Sequence, residues 1–258
     1  MTSIDLNSDM GESFGVYTLG HDADMLKIVS SANVACGFHA GDPLVMAETI
    51  AIAKSCGVDV GAHPSFFDVW GFGRRPILGE KPEDIEKQVA YQIGAMLAMA
   101  RHGGTRVTHV KTHGSLGNMA AVDLGLALGV ARAIKAVDDR LLFVVMPGSQ
   151  LEVAGAQLGL RMAREVFADR TYDDAGMLTS RKIEGAVIHD ADLAANRVLA
   201  MVRDQALTST SGKKIPVAID TICVHGDNPA AVAMARAVRH ALEQAGVTIR
   251  PMAATLAQ

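Results

Sequence analysis

The residues that could do chemistry in this chain sit just after short apolar runs. Asn7, Asp9 and Glu12 lie in NSDMGE. His39 and Asp42 lie in CGFHAGD, and His63 in GAHPSF. Lys111, His113 and Asn118 lie in VKTHGSLGN. Glu165, Asp169 and Arg170 lie in EVFADR, and His225 and Asp227 in VHGDN. Imidazoles and carboxylates gathered in one place supply general acids and bases, or ligands for a divalent ion. A lysine that ends an apolar strand, if buried, must pair with a carboxylate or meet a ligand anion. Arg170 could serve a carboxylate in the same way, or sit in a pair with Asp169.

Each of these residues also has a plainer reading. Asp42 precedes Pro43 and suits a helix N-cap. His63 precedes Pro64 and could simply hydrogen-bond its loop. Glycine follows both His113 and His225, which allows a tight turn as well as close approach of a ligand. Asn7 could satisfy backbone groups at a strand end. There is no H-E-x-x-H, no thiolate pair, no G-x-x-x-x-G-K-[ST], and no G-x-G-x-x-G after a strand. G-x-S-x-G is also missing. A metal requirement stays open, with Asp9, His39 and His63 as candidate ligands.

The elements that must position these groups are legible as apolar periodicity. Strands are expected at 3–7, 28–36, 58–62, 106–111, 141–146, 162–167 and 217–224. Several are nearly continuous in apolar residues, the habit of parallel strands covered on both faces. Asp42-Pro43 and Gly57 bracket one helix. Pro82 with Glu83, Asp84 and Glu86 opens the next, whose apolar stripe is Ile85, Val89, Ile93, Met96, Leu97 and Ala100. Ser149 and Glu152 form a capping-box pattern ahead of a helix ended by Gly159. A further helix covers 190–204, and Asn228-Pro229 opens the last long one. Alternating strands and helices predict parallel βαβ packing, as a closed barrel in preference to an open doubly wound sheet. In a barrel all the strand ends named above share one rim, where active sites are built. His39, His63, His113 and His225 should therefore meet there. The polar stretch 168–189 reads as a loop insertion.

Composition narrows the function classes. The chain has 258 residues, 49% of them apolar, and a formal charge of −4. That suits a single α/β domain over 1–258. No basic stripe favours nucleic acid, and no apolar run is long enough for a bilayer. The opening MTSIDLNSDMGES has no basic segment of the signal-peptide kind. Cys36, Cys56 and Cys223 are odd in number and not in C-x-x-C spacing, so free and mostly buried thiols and a cytoplasmic location are expected.

IDLNSDMGESFG, SSANVACGFHAGDP, GAHPSFFDVWGFGR, HVKTHGSLGN, EVFADRTYDDAGML and VHGDN, in that order, resemble the LamB/YcsF family over about residues 3–250. The resemblance implies a seven-stranded (β/α) barrel of the glycoside hydrolase/deacetylase type. It also implies ATP-dependent hydrolysis of 5-oxo-L-proline to L-glutamate, with this chain as the A component of a 5-oxoprolinase completed by subunits B and C. In that reading Asp9 or Glu12 acts as general base, and His113 or His225 shuttles protons. Lys111 and Arg170 face anionic groups, while Asn7, His39, Asp42, His63, Asn118 and Asp227 contact substrate. Two alternatives stand beside it. One is a stand-alone metal-assisted amide or N-acetyl hydrolase, and the other a non-catalytic lactam-binding subunit. The chain departs from the family's usual K-P-H-G-x-L-Y-N at Thr112 and Gly117. Loss of the aromatic ring at Gly117 would widen the site or remove a hydroxyl contact.

Overall fold

The structure is a computed structural model and describes residues 3–256, so the ends of the domain expected over 1–258 lie outside the described residues. In chain order the elements are β1 (Ser3–Met10), α1 (Asp22–Met25), β2 (Ser31–Ala35), α2 (Pro43–Cys56), β3 (Asp59–His63) and α3 (Pro82–His102). They continue with β4 (Val107–Lys111), α4 (Gly114–Ala120), α5 (Leu124–Asp138), β5 (Leu142–Val145), α6 (Gln150–Leu158) and β6 (Met162–Phe167). Last come α7 (Ala191–Asp204), β7 (Ala206–Thr208), β8 (Lys214–Pro216), β9 (Thr221–Cys223), α8 (Pro229–Gln244), β10 (Thr248–Ile249) and α9 (Met252–Thr255).

Seven parallel strands run in the order β1-β2-β3-β4-β5-β6-β9, and β9 pairs back onto β1 to close the barrel. Closure removes the free edges that an open sheet would leave. β10 extends the bottom of β1 through Ser3–Thr248 and Ile4–Ile249. The helix ends follow the sequence signals. Asp42 accepts from the amides of Leu44 and Val45, and Gly57 ends α2 at φ 70°. Asn228 caps α8 through the amide of Ala231. Ile85, Val89, Ile93, Met96 and Ala100 of α3 are buried as their spacing predicts, with Leu97 packed at the margin.

Two strands are much shorter than expected. The second strand is shorter than 28–36, because Lys27, Ile28 and Val29 still belong to the turns that follow α1. The last barrel strand is Thr221–Cys223 rather than 217–224, since Val217 instead donates to Gln205 beside the small β7–β8 hairpin. That hairpin and β10 are too short to show a period in sequence. The stretch 168–189 is a loop with isolated bridges at Arg170–Val187 and Tyr172–Leu178. Among the described residues no helix is long and apolar enough to cross a membrane.

The barrel interior is divided by chemistry. On one side Leu142, Val144 and Ala163 pack with Met252, which α9 inserts at the bottom. On the other side a polar ladder climbs from Asp5. Alternate residues of a strand share a face, and Asp5, Asn7 and Asp9 of β1 use theirs to bond across the interior. Asp5 accepts from Ser30, Ser31, Thr221 and the Met252 amide. Asn7 donates to Thr221 and accepts from Asn33, which also donates to Asp9. His109 bonds Asn33 at 2.9 Å. Its ring lies where a Cβ at residue 61 would stand, so only Gly61 fits on β3.

Candidate active site

At the top of this ladder Lys111 ends β4 and reaches into the barrel. Its ammonium lies 2.7 Å from Glu165 and 2.9 Å from Asp9, and also donates to Asn7 and to the Cys223 sulfur. Burial disfavours its charge, but Asp9, Cys223 and Glu165 together hold its pKa well above the usual lysine value. Asp9 is likewise penalised by burial. Positive charge at His63 and at Lys111 overcomes this and keeps it well below the ordinary carboxylate range. Lys111 is thus a buried counter-ion for two carboxylates.

Two groups flank this centre. On one side His39, His63 and His113 gather with Glu12. The rings of His39 and His113 stack with centroids 3.8 Å apart, and His63 stands edge-on to both. Gly73 leaves room for the stack, since a Cβ there would lie 2.8 Å from both His39 and His113. Burial and the neighbouring imidazoles push the pKa values of His39 and His113 well down. On the other side His225 Nδ1 meets Asp169 Oδ2 at 2.7 Å.

Two clefts open onto these groups. One, of about 350 Å³, is lined by Asp9, Glu12, Asp22, Phe72, Arg74 and Asp227 among others. The other, of about 490 Å³, is lined by Asp9, Arg74, Lys111, His113, Asn118, Glu165, Arg170 and His225, together with Met177–Lys182 of the long loop. Arg74 and Asp9 border both clefts. Arg170, Arg181 and Lys182 give the larger one a cationic wall. Pockets with a few convergent polar groups are the usual form of small-molecule sites.

The rim predicted from sequence therefore brings together Asn7, Asp9, Glu12, His39, His63, Lys111, His113 and His225. Asn118, Arg170 and Asp227 border the clefts. Asp42 is not among them: its carboxylate is spent on capping α2 and on the amide of Gly15, outside both clefts. Of the candidate ligands Asp9, His39 and His63, His39 and His63 gather with Glu12 and His113, while Asp9 gathers with Cys223 and His225 and also lies 3.3 Å from His63 Nε2. Sequence reasoning passed over Arg74, whose signal was its place in GFGRR, four residues beyond GAHPSF, and over Asn33, buried within an apolar strand. Thr112 and Gly117 are neighbours, since a Cβ on Gly117 would lie 3.0 Å from the Thr112 hydroxyl. The two departures from the family motif are thus one local change. The thiols are all free, but Cys56 is exposed at the end of α2, where its side chain faces away from the core.

Fold and site together define an α/β barrel of the deacetylase type with imidazoles and carboxylates gathered at one rim. The catalytic domain of a peptidoglycan N-acetylglucosamine deacetylase from Eubacterium rectale ATCC 33656 shares the fold at 13% identity and a TM-score of 0.50, over 97% of this chain and 88% of that one. The chain belongs to the LamB/YcsF family, whose sequence pattern matches residues 4–257. It is similar to the A subunit of 5-oxoprolinase from Rhodopseudomonas palustris (strain BisB5), 55% identical over 250 residues, covering 97% of this chain and 98% of that protein. The lactam utilization protein from Thermus thermophilus is 44% identical, with a TM-score of 0.92 over 96% of this chain and 99% of its own.

Proposed function

We propose that this chain is the A subunit of a 5-oxoprolinase and opens the ring of 5-oxo-L-proline in an ATP-dependent reaction with partner subunits B and C. The observation that carries the reading is the 55% identity, over nearly the full length of both chains, to a protein named as the A subunit of 5-oxoprolinase. The site chemistry agrees with it. A lactam is a poor electrophile because its carbonyl is resonance-stabilised. Phosphorylating the carbonyl oxygen makes the carbon attackable by water. The ring C–N bond then breaks as nitrogen takes a proton, and hydrolysis of the resulting acyl phosphate leaves glutamate and phosphate.

The cations Arg170, Arg181, Lys182 and Arg74 that line the cleft suit the substrate carboxylate and the phosphoryl oxygens. His225, held by Asp169, gives or takes the proton at the ring nitrogen in this reading. Asp9 stays ionised between Lys111 and His63 and is the base that orients water. The test is reconstitution. Glutamate and phosphate should form from 5-oxoproline and ATP only when this chain is combined with subunits B and C. A mixture of B and C that is equally active without it would sink the reading. Glutamate formed by this chain alone without ATP would instead favour a stand-alone amide hydrolase.

A further inference from the structure

His63 Nδ1 lies 2.7 Å from the carbonyl oxygen of Lys111, and His113 Nε2 lies 2.9 Å from that of Phe72. A carbonyl can only accept, so both of these nitrogens carry protons and donate. In a neutral imidazole the other nitrogen is then a bare lone pair. Those other nitrogens, His63 Nε2 and His113 Nδ1, face each other at 3.0 Å. Two lone pairs at that distance repel unless a positive charge lies between them.

The surroundings carry the same deficit. Glu12 Oε1 lies 3.3 Å from His113 Nδ1 and 3.4 Å from His39 Nε2, yet has no hydrogen-bond donor. His39 is 1% exposed, and neither of its nitrogens has a partner. Buried polar atoms left in this state are costly and rare. Lys111 does not supply the missing charge, because its ammonium is bonded on the far side of Asp9 to Glu165, Asn7 and Cys223.

We infer that Glu12, His39, His63 and His113 form a binding site for one divalent transition-metal ion of borderline softness, such as Zn²⁺ or Co²⁺. Three imidazoles and a carboxylate are a donor set for such ions. Tetrahedral bonds of about 2.0–2.2 Å place ligand atoms roughly 3.3–3.6 Å apart, close to the 3.3 and 3.4 Å separations from Glu12. The outer N–H groups of His63 and His113, seated on carbonyls, fix ring orientation as the second shell of a metal site does. The carbonyl that holds His113 belongs to Phe72, a non-glycine residue held at φ 55° in the left-handed region. His39, pinned by no hydrogen bond, is the ligand free to turn inward. The other convergent group, Asp9, Cys223 and His225, is not such a site, because the Lys111 ammonium already lies 2.9 Å from Asp9 and 3.3 Å from Cys223.

This inference concerns the chain by itself, so it stands or falls independently of the reaction proposed above. The full chain is purified without chelator and analysed for bound metal. It is then stripped and titrated at pH 8 with Co²⁺, followed by visible absorption, with Zn²⁺ as competitor. One equivalent should bind with the spectrum of a low-coordinate Co²⁺ site, and Zn²⁺ should displace it. Glu12→Gln and His39→Ala should each weaken binding by at least about tenfold, while Asp169→Asn should leave it within a few-fold. Should His39→Ala fail to fold, Glu12→Gln keeps the shape of a partly exposed side chain and carries the test. Zinc should raise the thermal midpoint of the parent chain and not of that variant. A folded parent chain that binds neither ion, or Glu12→Gln and His39→Ala proteins that bind like the parent, overturns the site. A proton shared by His63 and His113 would then be the charge between them.

Discussion

His225 and Asp169 join the loop after β9 to the loop after β6 through a 2.7 Å contact between Nδ1 and Oδ2. Burial alone would lower the imidazole pKa. The bond to Asp169, its charge, and those of Asp9 and Asp227 outweigh burial and raise it above 6.5. A histidine with a raised folded-state value contributes stability that is fully present below its unfolded value and is lost as pH rises through the folded one. Asp169→Asn should therefore lower the His225 titration midpoint in a proton NMR titration. The stability gap between parent and variant should be widest between about pH 5 and 6 and narrow towards alkaline pH. A midpoint unchanged by Asp169→Asn would show that the contact does not tune His225.

Lys111 stands between Asp9 and Glu165, so Lys111→Met leaves two buried carboxylates facing each other. Breaking a buried pair from one side costs about 3–5 kcal/mol. The thermal midpoint should fall sharply, and turnover with it. Adding Glu165→Gln to Lys111→Met removes one of the stranded charges and should recover part of the loss. A Lys111→Met protein with the parent's midpoint would mean that the ammonium serves a ligand anion instead.

Asp5 lies at the foot of the polar ladder. Burial pushes its carboxyl up to about 6, against hydrogen bonds from Ser31, Thr221, Ser30 and Met252 that pull it down. Here the folded value exceeds the unfolded 3.8. The associated stability is present below 3.8 and lost as pH rises through about 6. A displacement of about two units corresponds to about 3 kcal/mol. Carboxyl carbon NMR should find one aspartate titrating near pH 6 that disappears in Asp5→Asn. A spectrum with every aspartate midpoint below about 5 would rule this out, since ordinary aspartates titrate near 3.9.

The barrel and its rim were legible because each apolar run ends at a polar cluster, and β6 appears at its true bounds of Met162–Phe167. The ladder inside the barrel was not. Asp5, Asn33, His109 and Thr221 lie within strands, and single polar residues in an apolar run look incidental until neighbouring strands bring them together. The clue was their period of two, as in Asp5-Asn7-Asp9 and His109-Lys111. The division of the rim histidines was hidden for another reason. His39, His63 and His113 share a cluster while His225 turns to Asp169, and side-chain direction at a strand end depends on loop paths that spacing does not encode. Asp42 shows the opposite case, where the local cap signal carried the whole explanation.

The thiols differ in accessibility. Cys36 and Cys223 are buried, and burial raises the Cys36 pKa to about 12. Cys56 is exposed. An aromatic disulfide reagent should therefore label one thiol in the native chain and all three after denaturation. Prompt labelling of Cys223 in the native state would contradict its place beside Lys111.

β1 is flanked in the barrel by β2 on one side and by β9 on the other, and its foot is completed by β10 and the Met252 amide. The contacts Asn7–Thr221 and Asp5–Met252 span 214 and 247 residues of sequence. Loop closure over such separations must precede the reward of the contact. During synthesis the first strand therefore waits, with one edge and a buried-type aspartate open to water, until almost the whole chain has left the ribosome. A nascent chain stalled before β9 would expose that edge to other strands. Seam formation, rather than any single βα unit, is then the step that leaves an unpaired strand edge open longest.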